Sequence, residues 1–156
     1  MPADEYTITH VTDDDIPELV ANLRVADMRE LRALSSKPYP EIVKTSIKVS
    51  TEAYTLRVDD QLLCIFGMGV LSIASLEGAP WMIGTEAINQ HRRAFLEASK
   101  EVSTSMLKRY AYLRQFVDVR NTLAVRWLKW LGFEFSDPMP IGRNGEMFYL
   151  FTMENL

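Results

Sequence analysis

The chain has 156 residues, of which 47% are hydrophobic and 24% are charged. This length and composition suit a single globular domain over residues 1–156, and they exclude a disordered chain, a membrane-spanning helical protein and a two-domain enzyme. The 17 Lys and Arg against 21 Asp and Glu give a formal net charge of −4. With no overall positive field, we expect no nucleic-acid partner.

The only cysteine, Cys64, cannot form an internal disulfide or a thiolate zinc cage, and its predicted strand favours a core residue over a nucleophile. Residues 1–5 are acidic and polar, where a secretory signal would be basic and then apolar. We therefore expect a cytoplasmic protein without a membrane contact. His10 and His91 show no metal-ligand spacing, so no metal site is expected.

The first third of the chain predicts one strand and two or three helices. Residues 6–11 are β-prone, and Thr12 with the acids after it is typical of a capped helix start. Apolar residues then recur at helical spacing to Leu34, and Pro40 suits the start of a short third helix that ends near Lys48.

The middle of the chain predicts a hairpin. Segments 53–58 and 62–70 flank a polar turn at 59–61. Glycines inside a strand are typical of a bulge or a close backbone approach, and Gly67 and Gly69 lie in the second segment.

The second half predicts alternating strands and helices. Its elements are a strand at 80–85, a helix at 92–110, a strand at 113–119, a helix at 121–131 closed by Gly132, and a last hairpin of 133–135 with 147–153. A strand–helix–strand unit places two parallel strands side by side and directs function to their C-terminal ends. The full order, β-α-α-(α)-β-β-β-α-β-α-β-β, predicts an α/β fold whose central mixed sheet is flanked by helices on both faces.

The segment 118–133 carries a resemblance to a known family. It resembles the second conserved block of the GNAT superfamily of N-acetyltransferases, in which a strand ends at an Asn, a small residue follows three positions later, and Gly-Phe closes the helix; Asn121, Ala124, Gly132 and Phe133 match. The element order is also similar over roughly the whole chain. The wording of the segment, with Gly-Thr-Glu and Arg-Arg-Ala-Phe-Leu upstream, is similar to a bacteriophage group, the Gp13-like or internal virion protein A group of short-tailed phages.

The resemblance implies a GNAT-like fold and an acetyl-CoA-dependent N-acyltransferase of a phage, which acts on or binds host components during infection. The protein would lie in the host cytoplasm or be associated with the virion. Acetyl-CoA or CoA would bind between two splayed parallel strands, its thioester polarised by backbone amides. The residues implied to hold CoA are Met82, Ile83, Gly84, Thr85, His91, Arg92, Arg93 and Asn121.

The sequence departs from the family at two places. The family's pyrophosphate loop has glycines after its Gln or Arg, whereas here Gln90 is followed by His91, Arg92 and Arg93. The guanidinium groups could replace the amide cradle or contact the nucleotide 3′-phosphate, or they are ordinary solvated charges. Leu128 stands where the family often has the Tyr that protonates the leaving thiolate.

Three side chains keep alternatives open. Glu86 follows the strand at 80–85 and is the candidate base if partial burial raises its pKa, and otherwise it is a solvated charge or a helix cap. Asn121 either caps the next helix or reaches a ligand in the cleft. Trp127 and Trp130 are core residues or mark an interface.

Two functions remain open at this point. The first is an acyl-CoA-dependent enzyme with an amine substrate. The second is a catalytically degenerate GNAT-like module that binds a host protein or takes part in virion assembly, through the arginines of segment 24–32 or the loop 138–145. The sequence does not identify the acceptor or the host partner. It does not determine the oligomeric state either, for which a homodimer is one arrangement.

Overall fold

The computed structural model describes residues 5–155, so residues 1–4, on which the expectation about a secretory signal largely rests, lie outside the described part, as does Leu156. The helices are α1 (Asp15–Ala21), α2 (Val25–Leu34), α3 (Tyr39–Lys48), α4 (Arg92–Arg109) and α5 (Thr122–Leu131), with a 3-10 turn at Glu86–Gln90. The strands are β1 (Tyr6–His10), β2 (Glu52–Val58), β3 (Gln61–Ser72), β4 (Glu77–Gly84), β5 (Tyr112–Asp118), β6 (Glu134–Phe135), β7 (Met139–Pro140) and β8 (Met147–Glu154).

The described strands form one sheet of eight in the order β1-β2-β3-β4-β5-β8-β6, with β7 also paired to β8. All neighbours are antiparallel except β4 and β5, which are parallel, as the strand–helix–strand unit predicts. These two strands pair only at Glu77 with Tyr112 and at Gly78 with Leu113, although β4 continues to Gly84 and β5 to Asp118. Their C-terminal ends therefore separate.

Helices cover both faces of the sheet, which confirms the predicted α/β architecture. On one face, α1, α2 and α3 pack on the sheet through a cluster that includes Leu19, Val43 and Ile83. On the other face, α4 and α5 pack through a larger cluster that includes Phe95 and Leu128. None of the described helices is both long and apolar enough to cross a membrane.

The start of α1 differs from the sequence-based prediction. The helix begins at Asp15, and the Thr12 hydroxyl does not accept from its first turn. Instead the Asp15 carboxylate reaches back and accepts from the Thr12 backbone N–H (2.7 Å) and hydroxyl (3.2 Å). Asp15 also accepts from the Arg57 guanidinium of β2 at 2.7 Å, which fixes α1 to the sheet.

Two glycines serve specific geometries. Gly132 closes α5 with φ +107°, a left-handed conformation that confirms its predicted role. A β-carbon at Gly67 would lie 2.7 Å from the Trp81 indole and from the Glu52 carbonyl oxygen, so the predicted close approach is confirmed there. The ladder with β4 is continuous through Gly67 and Gly69, and the nearest register shift lies between Val70 and Ser72.

Candidate active site

A cavity of about 560 Å³ lies where β4 and β5 separate. Its lining includes Leu31 of α2 and Trp81 of β4 from one face of the sheet, and Phe95 of α4 and Trp127 of α5 from the other. Because residues of both faces line it, the cavity extends to both sides of the gap between the strands. The C-terminal ends of parallel strands are the usual place for a ligand in such a sheet.

Two carboxylates of α2 span the open end of this gap. Asp27 accepts a hydrogen bond from the backbone N–H of Gly84, the last residue of β4, at 2.9 Å. Glu30 accepts from the backbone N–H of Asp118, the last residue of β5, at 2.7 Å. Both strand ends would otherwise present unpaired N–H groups, so α2 supplies the acceptors that these two N–H groups require.

The charge on these groups is unevenly compensated. Asp27 also accepts from the Arg24 side chain at 2.7 Å, and Asp118 accepts from Arg120 at 2.6 Å. The ion pairs in the described part of the chain give Glu30 no cationic partner. Glu30 is thus the carboxylate at this end of the gap that is left to interact with a ligand.

The environment of Glu30 favours its neutral form. Burial raises its pKa to about 7, with the charges of Asp27 and Asp118 adding to the rise against the opposing hydrogen bond from Asp118 N–H and the charge of Arg24. Burial alone would raise the pKa of Asp118 as well, but the hydrogen bonds from Arg120 hold it below its ordinary value. Glu30 can therefore accept and release a proton near neutral pH.

The backbone of β4 directs an N–H group into the gap. The Thr85 N–H donates to the Leu63 carbonyl of β3 at 2.9 Å, whereas the Gly84 N–H points away from β3 to Asp27. Because successive residues of an antiparallel pair alternate in direction, the Met82 N–H lies on the same side as that of Gly84. That N–H faces the space that β5 has left.

Three of the residues implied to bind CoA line the cavity, namely Met82, Ile83 and Asn121. Gly84 and Thr85, which follow Ile83 along the chain, do not line it. Thr85 is fully buried, and its hydroxyl donates to the Leu62 carbonyl at 2.7 Å. Gly84 has its N–H bound by Asp27 and its carbonyl by the Arg24 N–H at 3.1 Å.

Asn121 caps α5, as one of its two predicted roles requires. Its side-chain oxygen accepts from the Ala124 N–H at 3.3 Å, and the residue is buried at the cavity wall. The cap places the start of α5 directly after the open end of β5. Contact of the same amide with a ligand stays a prediction.

Glu86 is exposed, which fits the alternative of a solvated charge and does not supply the partial burial that a role as base requires. The chain leaves β4 into the 3-10 turn, which buries Ala87 and Ile88 and turns Glu86 outward to solvent. Its carboxylate accepts from the Asn89 side chain at 3.3 Å, and it is not among the residues that line the cavity. Its role as the base stays a prediction without the burial on which it relied.

The other residues implied to bind CoA, His91, Arg92 and Arg93, lie at the N-terminus of α4. The His91 ring is 3.2 Å from the Gln61 side-chain oxygen, and Arg93 lies 3.6 Å from Glu97. Arg92 is exposed. One turn later, Phe95 lines the cavity, so these groups are close to it without lining it.

The interior of the cavity is largely apolar where the family often has a hydroxyl. Leu128 is buried and lines the cavity, so no hydroxyl stands at that place in the cavity wall. Burial raises the pKa of the Cys64 thiol to about 12, which confirms a core residue over a nucleophile. Among the described residues, no group of three or more His, Cys, Asp or Glu is arranged to hold a metal ion.

The two tryptophans of α5 have different surroundings. Trp127 packs on Phe95 with ring centroids 5.2 Å apart, and its indole N–H donates to Ser99 at 3.1 Å. Trp130 is about half exposed, with the Lys100 ammonium 4.7 Å from its ring centroid. Core packing is thus the role of Trp127.

The sequence-based search missed Asp27 and Glu30. A signal for them exists: both are acids on the stripe of α2 that also carries Leu31 and Leu34, at helical spacing. An acid among apolar residues on a packed face requires a partner or a function. The sequence instead draws attention to the arginines of segment 24–32, as a surface for a partner.

No family model matches the sequence, and no curated protein matches it significantly. Solved structures do. A spermidine N-acetyltransferase from Vibrio cholerae, in complex with CoA and spermine, superposes with a TM-score of 0.72 at 10% identity over 96% of this chain and 95% of that one. RimL, a ribosomal L7/L12 alpha-N-protein acetyltransferase in complex with CoA, gives 0.72 at 9% identity over 96% and 93%. An acetyltransferase of the GNAT family from Streptococcus pneumoniae gives 0.63 at 17% over 96% and 99%.

These similarities span nearly the full length of the chain and of each neighbour. They show that this chain has the GNAT fold, as the resemblance of segment 118–133 implies.

Proposed function

We propose that this chain is an acyl-CoA-dependent N-acyltransferase whose thioester lies between β4 and β5. The observation that carries the proposal is the pair of parallel strands that separate after two residue pairs, around a cavity that Glu30 lines. The fold places acyl-CoA at such a gap in the family that the sequence resembles, and two of the structural neighbours are complexes with CoA.

The chemistry requires an amine to lose a proton and attack a carbonyl carbon. The amine nitrogen forms a bond to the thioester carbon, the carbon–sulfur bond breaks, and the thiolate leaves with CoA. Glu30 is placed to accept the amine proton, since it lines the cavity and its pKa of about 7 leaves a usable fraction ionised at neutral pH. The Met82 N–H, directed into the gap, is placed to stabilise negative charge on the carbonyl oxygen.

The residues present fit CoA in part. The apolar walls from Phe95, Trp127 and Leu128 suit a pantetheine arm. The N-terminus of α4, an 18-residue helix, offers backbone N–H groups beside Arg92 and Arg93, which suits phosphate. Arginine side chains would there do what glycine-spaced amides do in the family.

The first test is direct binding. Calorimetric titration with CoA and with acetyl-CoA should show a saturable heat, and Arg92→Ala together with Arg93→Ala should weaken the affinity for both. Lys44→Ala is the matched control, because Lys44 is an exposed cation on α3, on the opposite face of the sheet. The absence of binding at millimolar ligand would overturn the proposal.

The second test is turnover with a pool of primary amines: amino acids, peptides, alkylamines and polyamines. Release of free CoA thiol that depends on the amine supports the transferase. Binding of acetyl-CoA without turnover of any amine would favour the second candidate.

That second candidate is a catalytically silent GNAT-like module that binds a host protein or takes part in virion assembly. It is favoured by Leu128 at the place of the acidic hydroxyl and by the missing glycines after Gln90. A phage origin, a host acceptor or partner, and a place in the host cytoplasm or virion rest on the resemblance of segment 118–133 alone. Capture of one stable host partner by the inactive protein would support this candidate.

A further inference from the structure

We propose that the acceptor is a primary amine carried on an apolar group, which enters the cavity from the α2 face. This inference rests on the proposed N-acyltransferase function and specifies its substrate class. The acceptor mouth, as we call the cavity rim on that face, is formed by Leu34 of α2, Val49 after α3 and Leu71 of β3.

The acceptor mouth is apolar and open to solvent. Leu34, Val49 and Leu71 all line the cavity, yet they remain 46%, 70% and 47% exposed. Exposed apolar side chains cost little singly, but three around one opening form a surface that gains from being covered. A ligand that passes between them to reach the gap would cover this surface.

Deeper in the cavity, a fixed indole continues this surface. Trp81 lies across the position of Gly67 on β3, where a β-carbon would be 2.7 Å from the ring. Its N–H donates to the Ser50 hydroxyl at 2.7 Å, so the indole is fixed by this bond and by its packing on Gly67, and its remaining surface in the cavity is available for apolar contact. An ordered aromatic face of this kind binds an aliphatic or aromatic group at low entropic cost.

Where the cavity reaches the gap between β4 and β5, Glu30 is the carboxylate without a cationic partner in the described part of the chain. Arg24 neutralises Asp27 and Arg120 neutralises Asp118, whereas Glu30 has no cation among its ion-pair neighbours in residues 5–155. One uncompensated carboxylate matches one ammonium group. Among the described residues, the carboxylates that line the cavity are Asp27 and Glu30. A second ammonium further along the same molecule would therefore find no further carboxylate there, and it would forgo the apolar contact that a methyl end makes with the acceptor mouth.

The geometry therefore selects for a single amine followed by an apolar body, and against linear polyamines. Each methylene that becomes buried should raise kcat/KM by about fourfold, the factor that corresponds to roughly 0.8 kcal/mol per methylene. A diamine of the same length should be at least about tenfold poorer than the monoamine.

The test uses the full chain with acetyl-CoA and unbranched alkylamines from propylamine to hexylamine, whose amines have nearly equal basicity. Each is compared with the terminal diamine of the same length. A rise of kcat/KM along the monoamines, with diamines poorer, is expected. A flat series, or a preference for diamines, would overturn the inference and leave the N-acyltransferase function standing, whereas no turnover of any amine would overturn both.

Two variants locate the selectivity. Leu34→Glu and Val49→Glu, at exposed positions, place charge on the acceptor mouth without disturbing the core. They should raise KM for hexylamine about tenfold, leave kcat near wild type and narrow the gap between hexylamine and its diamine. Ile73→Glu is the matched control, because Ile73 is an apolar residue 84% exposed that does not line the cavity. Equal effects of all three substitutions would overturn the placement of the acceptor.

Discussion

Asp27 and Glu30 lie one turn apart on α2 and bind the last backbone N–H of two different strands, that of Gly84 in β4 and that of Asp118 in β5. One helix thus spans the open end of the gap in the sheet with two carboxylates. Only one of the two, Asp27, has its charge matched by an arginine. The two carboxylates therefore differ in role: Asp27 stabilises the fold, and Glu30 is the candidate base.

The rate of acyl transfer should rise with pH through about 7. Glu30 must be ionised to accept the amine proton, and its raised pKa sets that step. Glu30→Gln keeps a hydrogen-bond acceptor for Asp118 N–H but removes the base, so kcat/KM should fall roughly 10²- to 10⁴-fold and this limb of the pH profile should disappear. The measurement is a pH–rate profile at fixed acetyl-CoA.

Two further substitutions distinguish the carboxylates. Glu86→Gln tests the base that the sequence predicts, and a loss larger than that of Glu30→Gln would restore that assignment. Glu41→Gln, at an exposed site in the first turn of α3, shows the effect of removing a remote negative charge. Titration with CoA should give the same affinity for the Glu30 variant and the wild type.

The free energy of unfolding should fall as the pH rises from about 4.5 to about 7. The folded state holds the Glu30 proton more tightly than the unfolded state, whose ordinary pKa is 4.5, so the folded chain carries the extra proton in this window. The loss should be roughly 2 to 3 kcal/mol by urea unfolding. Glu30→Gln should flatten the slope, and an unchanged slope in that variant would contradict the assignment.

Removing the Asp27 side chain should destabilise the fold more than removing an exposed acid. Asp27→Ala leaves the Arg24 guanidinium and the Gly84 N–H without their partner in a buried place, at a cost of about 3 kcal/mol. Asp13→Ala, at an exposed position before α1, should change stability by less than about 0.5 kcal/mol. Denaturant unfolding of both variants provides the comparison.

Gly84→Ala should destabilise the end of β4, whereas Gly69→Ala should not. A β-carbon at Gly84 would lie 2.7 Å from Ile88 and 3.0 Å from the Arg24 guanidinium, so it would displace the partner of Asp27. The nearest atoms at Gly69 are at 3.8 Å, an ordinary contact. We expect a loss of about 1 to 3 kcal/mol at Gly84, measured by thermal unfolding, and equal stability of the two variants would contradict this account.

Local features of the chain were predictable where their partners are near in sequence. The cap of Asn121 bonds three residues ahead, and Gly132 ends a helix whose apolar spacing is plain. Glu30 was not found, because the N–H that it binds is 88 residues away and only the folded sheet brings the two together. β7, with two residues, is too short to leave a pattern.

The sequence could not decide between the two alternatives for Glu86 for a similar reason. Its place after a strand allows either a partly buried or a solvated carboxylate, and the 3-10 turn that follows buries Ala87 and Ile88 instead. A parallel neighbour for β4 was predictable from the strand–helix–strand order, and the separation of the two strands came from the resemblance alone. The spacing of apolar residues predicts which face of an element is buried, but it does not predict where two neighbouring strands separate.

The short pairing of β4 with β5 also bears on the order of folding. Strands β1 to β4 are joined through successive antiparallel neighbours, and β5 joins β8 on the far side, so most of the hydrogen-bonded ladder of each half lies within that half. The two residue pairs between the halves close a loop that includes the whole of α4, which is a slow kind of contact to form. We therefore expect the pairing of β4 with β5 to form late in refolding and its amide hydrogens to exchange early. A molecule bound to both strands should slow unfolding.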